Sequence, residues 1–242
     1  MVKKIVLSIV VFIIGLIVVV GIINRDKIEL IYTGYFMSAD ELRQRTEKAQ
    51  NELIKTLEEE YGIEDIREVI IGFDEEKILR GEITIEDIKK AIEQRKQKNL
   101  EKRKEHNSGK LNGEEFGQSA ENQEICKTAV EDAINEIYLL KAQYLSKLGG
   151  IEKEIVNYYN SLMRQEGMTK SKAKLSVADN YTERMLTFQK ECDNSVSSIL
   201  TNLETILKEN GGDTAIISQI QTEYENVKKE KLNYYMSIYN KK

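Results

Sequence analysis

Between Cys126 and Leu162, apolar residues recur at steps of three, four or seven: Cys126, Val130, Ala133, Ile137, Tyr144, Leu148, Ile151, Ile155, Tyr158 and Leu162. Such spacing marks one face of an α-helix, because a turn of about 3.6 residues stacks positions three and four apart. The run passes through Gly149-Gly150, a pair that resembles a hairpin turn. From Leu148 onward the steps are three, four, three and four. A reversing turn has no reason to keep that register. The sequence therefore predicts one helix over about 120–165, with both glycines on its open side. The pair costs about 2 kcal/mol in helix propensity, little beside a seam of this length.

Two further long helices follow. Gly167 and Thr169 form a break with a C-cap and an N-cap. The next predicted helix spans about 170–209, with a seam of Tyr181, Met185, Phe188, Cys192, Val196, Ile199, Leu203 and Ile206. Asn210-Gly211-Gly212-Asp213 ends it. Thr214 starts a last helix with Ile217, Ile220, Tyr224, Val227, Tyr235 and Ile238 on one face. The chain contains no proline, which suits uninterrupted helices because proline breaks helix interiors. The expectation is an antiparallel three-helix coiled bundle over residues 119–242. In it Cys126 and Cys192 fall at heights more than about 20 Å apart, too far for a disulfide that needs Cα atoms within about 7 Å. Both are therefore expected to be free thiols packed as small seam residues.

The other end of the chain is different in kind. Ile5–Ile23 is a run of 19 residues without a charge, and its one polar residue is Ser8. At about 1.5 Å per residue it reaches roughly 28 Å, close to the hydrocarbon thickness of a bilayer. A cleaved signal usually has a shorter apolar core and ends in small residues. Here Val19-Val20-Gly21 is followed by more isoleucine, so the segment reads as a retained transmembrane helix, with residues 1–27 as the anchor. Lys3 and Lys4 precede the run; Arg25 and Lys27 follow it. The short basic leader is read as an export signal, which places the N-terminus inside and the body outside the cytoplasm.

Residues 28–105 are expected to form a small helical region, joined to the bundle by a flexible linker at 106–118. In IELIYTGYFM, the aromatic Tyr32, Tyr35 and Phe36 suit either a membrane interface or packing on the next helix. Ser38 and Glu41 have capping-box spacing ahead of a helix over about 39–61. Its stripe is Leu42, Ala49, Leu53, Leu57 and Tyr61, and Gly62 stops it. IEDIREVII reads as a strand or a helical turn. A short helix then reaches Leu79, Gly81 turns the chain, and Thr84 caps a second helix lined by Ile85, Ile88 and Ile92. This LRGEITIEDI stretch resembles the helix-turn-helix of SHOCT modules, bacterial segments linked to oligomerisation and membrane association. The resemblance implies that Leu79, Gly81, Ile83, Thr84, Glu86 and Ile88 carry the turn and a pairing surface, with Ile88 where those modules have phenylalanine. The helix trails into the basic run Arg95, Lys96, Lys98, Lys102, Arg103 and Lys104. That run is either a solvated helix end or a contact for anionic lipid or cell-wall polymer.

FMSADELRQRTEKAQNELIKTLEEEYG, KECDNSVSSILTNLETILKENGGDT and YENVKKEKLNYYMSIY together resemble segments of membrane-anchored proteins of Gram-positive anaerobes. Those proteins share the signal-anchor, the helical hairpin and the C-terminal helical region. The resemblance implies location and architecture; it carries no activity and no catalytic residues.

Chemistry is sparse in the sequence. The formal net charge of −5 does not suggest nucleic-acid binding. His106, the single histidine, lies among charged linker residues without a second ligand at zinc spacing. NSGKLNG lacks the first glycine of a phosphate loop. The acids of LEEEYGIEDIREVIIGFDEE lack the oxygen alternation of a calcium loop. No cofactor, metal site or catalytic residue is expected. Tyr234, Tyr235, Met236 and Tyr239 form either a recognition patch or part of the packed face. The fold expected is all-α: a transmembrane helix, a small helical region and a long bundle. The function expected is an extracytoplasmic scaffold or protein-interaction module of the bacterial cell envelope, held at the membrane through residues 5–23. It would act through a protein partner or by self-association. The rival is an extracytoplasmic ligand-binding sensor or substrate-capture protein; an enzyme comes third.

Overall fold

The computed structural model describes residues 39–63, 66, 73–108 and 118–240. The predicted transmembrane run and the aromatic stretch at 28–37 lie outside the described residues. Among the described residues, no helix is long and apolar enough to cross a membrane. All regular structure there is helical: α1 (Ala39–Glu59), α2 (Glu75–Arg80), α3 (Ile85–Ser108), α4 (Gln118–Met163), α5 (Lys170–Glu209) and α6 (Ala215–Asn240). His106 thus belongs to the last turn of α3, and residues 109–117 of the predicted linker lie outside the described residues.

Each helix boundary has a local cause. At the end of α1, Gly62 takes φ 56° and the Ile63 amide donates to Leu57 O at 2.8 Å. Asp74 caps α2 by accepting from the Glu76 and Lys77 amides, and Gly81 at φ 78° closes it. Thr84 and Asp87 cap α3 reciprocally. The Thr84 amide donates to Asp87 Oδ2 at 2.9 Å, and the Asp87 amide donates to Thr84 Oγ1 at 3.2 Å. Thr169 accepts from the Lys172 amide at 3.3 Å to begin α5. The cap of α6 comes from Asp213, whose Oδ1 accepts from the Ala215 amide at 2.8 Å.

Helix α4 is continuous through Gly149-Gly150 over 46 residues, as the unbroken register predicts. One detail differs. Gly150 is exposed, but Gly149 is buried, so only one of the two sits on the open side. Gly149 falls a heptad after Ala142 and two after Asn135, both buried. It continues a second seam of α4, Glu131–Asn135–Tyr138–Ala142, alongside the predicted one.

The predicted seams of α5 and α6 are kept in part: Met185, Val196, Leu203 and Ile220 are buried, while burial at Ile199, Ile206, Ile217 and Tyr224 moves to an adjacent residue. On α5, Val196, Leu200, Leu203 and Leu207 are buried, while Ile199 and Ile206 are half-buried. On α6, Ile216, Ile220 and Glu223 are buried, with Ile217 and Tyr224 partly covered. Both apolar stripes are wide, and at these four positions packing buries the neighbouring residue.

The described residues divide into two compact units. The first takes α1 up to Ala49, Leu148–Asp193 and α6 from Gln221; the second takes Gln50–Lys147 and Asn194–Ile220. The core of the first unit is Ile151, Ile155, Tyr159, Leu162, Ala173, Val177, Ala178 and Met185. Within it α4 and α5 are antiparallel: Tyr158 meets Ser176, and Glu154, one turn earlier, meets Arg184 two turns later. In the second unit α1, α2, α3 and α4 pack with the first turns of α6 and the last of α5. Leu53, Leu57, Ile63, Ile66, Ile88 and Ile134 there are at most 1% exposed.

Candidate functional site

The polar chemistry of the first unit gathers where α5 meets α6. Tyr224 Oη donates to Asp193 Oδ1 at 2.5 Å, and Lys228 Nζ donates to the same oxygen at 2.9 Å. Lys228 also reaches Glu225 at 3.4 Å and lies 5.1 Å from the Tyr224 ring centroid. Cys192 Sγ is 3.5 Å from Tyr224 Oη. The single phenolic proton serves the carboxylate, which is nearer and charged. Burial, and then the hydrogen bond to Asp193, push the Tyr224 hydroxyl well above its ordinary pKa. Burial also pushes the Cys192 thiol up, so it is a poor nucleophile at neutral pH. The cluster pins two helices together.

A second polar group in this unit surrounds Tyr158, whose hydroxyl lies 3.0 Å from Ser176 Oγ and accepts from Asn180 Nδ2 at 3.1 Å. Arg184 pairs with Glu154 beside it, with both side chains half exposed. The hydrogen bond from Arg184 holds the Glu154 carboxyl below its usual range.

The second unit holds a polar cluster that hydrophobic patterning does not anticipate. Arg95, placed by sequence in a solvated or lipid-facing basic run, is 7% exposed. Its guanidinium donates to Asn135 Oδ1 at 2.7 Å and lies 3.2 Å from Glu131 Oε1. Asn99 Nδ2 donates to the same Glu131 oxygen at 3.3 Å. All four residues are buried. Next to the cluster Lys96 pairs with Asp132 at 2.6 Å, and elsewhere in the unit Lys141 pairs with Glu75 at 2.8 Å. The signal for this cluster is present in the sequence. Ile88, Ile92, Arg95 and Asn99 continue one helical face at steps of four, three and four, with the last two positions polar.

The predicted hairpin residues spread over different environments. Ile88 is fully buried within the second unit, and Leu79 and Ile83 are half-buried. Gly81, Thr84 and Glu86 are exposed, and Glu86 pairs with Lys89 at 2.9 Å. Cys126 and Cys192 are free and lie in different units. Cys126 Sγ lies against the α5–α6 turn, where a Cβ added to Gly212 would come within 2.7 Å of it. Tyr61 fastens the same turn by donating to Asp213 O at 3.1 Å. Its hydroxyl is pushed up to about 12, first by burial. The side chains of Tyr234, Tyr235, Met236 and Tyr239 lie outside the described residues.

One open groove runs along α5, lined by Asn194, Ser197, Ser198, Thr201, Asn202 and Thr205. All six are on one helix, and among the described residues no second wall encloses a ligand. Two of the hydroxyls are turned inward: Thr201 donates to Ser197 O at 2.9 Å and Thr205 to Thr201 O at 3.0 Å. Among the described residues, no group of three or more His, Cys, Asp or Glu is placed to hold a metal ion. No protein-family model, curated protein or solved structure matches the chain.

Proposed function

We propose that this chain is a single-pass membrane-anchored protein of a bacterial cell envelope. Its helical body would act outside the cytoplasm as a scaffold or protein-interaction module. The observation that carries the reading is the uncharged Ile5–Ile23 run, 19 residues ahead of a strongly charged body. Its reach matches a bilayer core. Two features of the body support it. Long helices meet along seams filled by side chains, and among the described residues the polar clusters tie helix to helix. The resemblance to signal-anchored envelope proteins points the same way. On this reading the anchor fixes location and the exposed helix faces present the binding surface, to another protein or to a second copy of the chain.

Two measurements on cells expressing the full chain test it. After carbonate extraction the protein should stay in the membrane pellet, and deletion of residues 5–23 should release it. Protease added to intact cells should digest the body. A body protected until lysis would reverse the orientation; a full-length chain found in the supernatant would remove the anchor.

A further inference from the structure

Helix α3 carries two chemically unlike stretches on one face, the second of them packed on α4. Its first turns bury Ile88 and Ile92, apolar side chains that gain by leaving water. Further along the same face come Arg95 and Asn99, packed on Glu131 and Asn135. Burying that quartet gains little. The attraction of a buried ion pair is largely offset by the desolvation of both charges. Asn99 Oδ1 and Asn135 Nδ2 are also buried without a hydrogen-bond partner among the described residues, which opposes docking. The face of α4 left behind by undocking would carry Glu131, Asp132 and Asn135, which water solvates well. Separation is cheap along the Arg95 and Asn99 contact and expensive along 85–92.

We infer that residues 93–101 of α3 form a polar-seamed strap that detaches from α4 while the stretch through Ile92 stays docked. Arg95 and Lys96, neutralised by Glu131 and Asp132 in the docked state, are exposed in the detached one. This is a conformational device within the second unit, and it does not depend on where the anchor places the chain.

Hydrogen–deuterium exchange on the full-length protein, read by mass spectrometry, tests it. Amides of 93–101 should exchange at least about tenfold faster than those of 86–92. A quadruple variant, Arg95→Met, Asn99→Leu, Glu131→Leu and Asn135→Leu, makes the seam apolar and should bring the two stretches to within about threefold of each other. Ordinary fraying of a helix end would leave the ratio unchanged in that variant, and such a result overturns the strap. So does equal exchange of both stretches in the natural protein. Glu131→Gln gives an independent reading: exchange in 93–101 should rise at least about threefold with 86–92 unchanged, and a uniform rise along α3 counts against the inference.

Discussion

Helix α4 makes two kinds of contact. In the first unit it meets α5 through Ile151, Ile155, Val177 and Ala178, all nearly inaccessible, while its ion pair, Glu154–Arg184, sits at the half-exposed rim. In the second unit it meets α3 with the order reversed, the charges of Arg95 and Glu131 inside at 6% and 7% side-chain exposure. The apolar contact stabilises by area and tolerates small shifts. The polar contact adds little net free energy, but its bonds are directional. A slip of one turn breaks the Arg95–Asn135 and Asn99–Glu131 bonds together. One helix thus carries a seam that holds and a seam that selects.

The largest expected effect breaks the first seam. Ile155→Ala should cost about 2–5 kcal/mol in urea unfolding, through lost burial and the cavity left behind. Converting the buried Arg95 quartet to apolar residues should leave global stability unchanged or raise it by about 1–4 kcal/mol. A loss of several kcal/mol there would erase the contrast. Next comes Gly212→Ala, whose new Cβ would lie 2.7 Å from Cys126 Sγ and 2.9 Å from Leu207 Cδ2. It should cost about 1–3 kcal/mol. Combined with Cys126→Ala, the total should be less than the sum of the two single costs, as a double-mutant cycle would show.

Smaller effects separate the units by pH. Tyr61, pushed up to about 12, and Tyr224, raised in the same direction, both favour the protonated folded state. Their contribution is fully present below the ordinary tyrosine value near 10 and is lost as pH rises above it. For Tyr61 the loss falls between about 10 and 12. Tyr61→Phe should flatten that alkaline decline for probes in the second unit, and Tyr224→Phe for probes in the first. The smallest effect is at the α3 cap. The hydrogen bonds from Thr84 lower the Asp87 carboxyl, so its contribution is present above the ordinary aspartate value and fades as pH falls below it. Thr84→Ala, which keeps the Thr84 amide but removes the hydroxyl, should weaken this acid dependence, seen as reduced pH sensitivity in exchange of the first α3 amides.

Much of the fold is legible in the residues. The unbroken register identifies α4 as one helix despite Gly149-Gly150, and Gly81, Thr84, Gly167 and Thr169 mark breaks where they occur. Met185, Val196, Leu203 and Ile220 were legible as seam positions; the one-residue shifts at Ile199, Ile206, Ile217 and Tyr224 were not, because a wide apolar stripe does not say which of two adjacent residues faces inward. The burial of Arg95, Asn99, Glu131 and Asn135 was hidden for another reason. Binary patterning assigns such residues to the surface, and only Arg95 and Asn99 share a helical face with Ile88 and Ile92 that could have marked them. Sites built from paired polar residues on different helices need the partner to be known before either member stands out.

Cys126 and Cys192, the chain's two thiols, fall one in each unit. Cys126 is covered by the turn at Gly212, and Cys192 lies beside Tyr224. A thiol reagent can reach Cys126 only when that turn moves away, whereas labelling of Cys192 follows the α5–α6 contact in the other unit. The natural sequence therefore contains a two-channel chemical clock. The rates at which the two thiols are consumed report local opening in each unit separately, without an introduced probe.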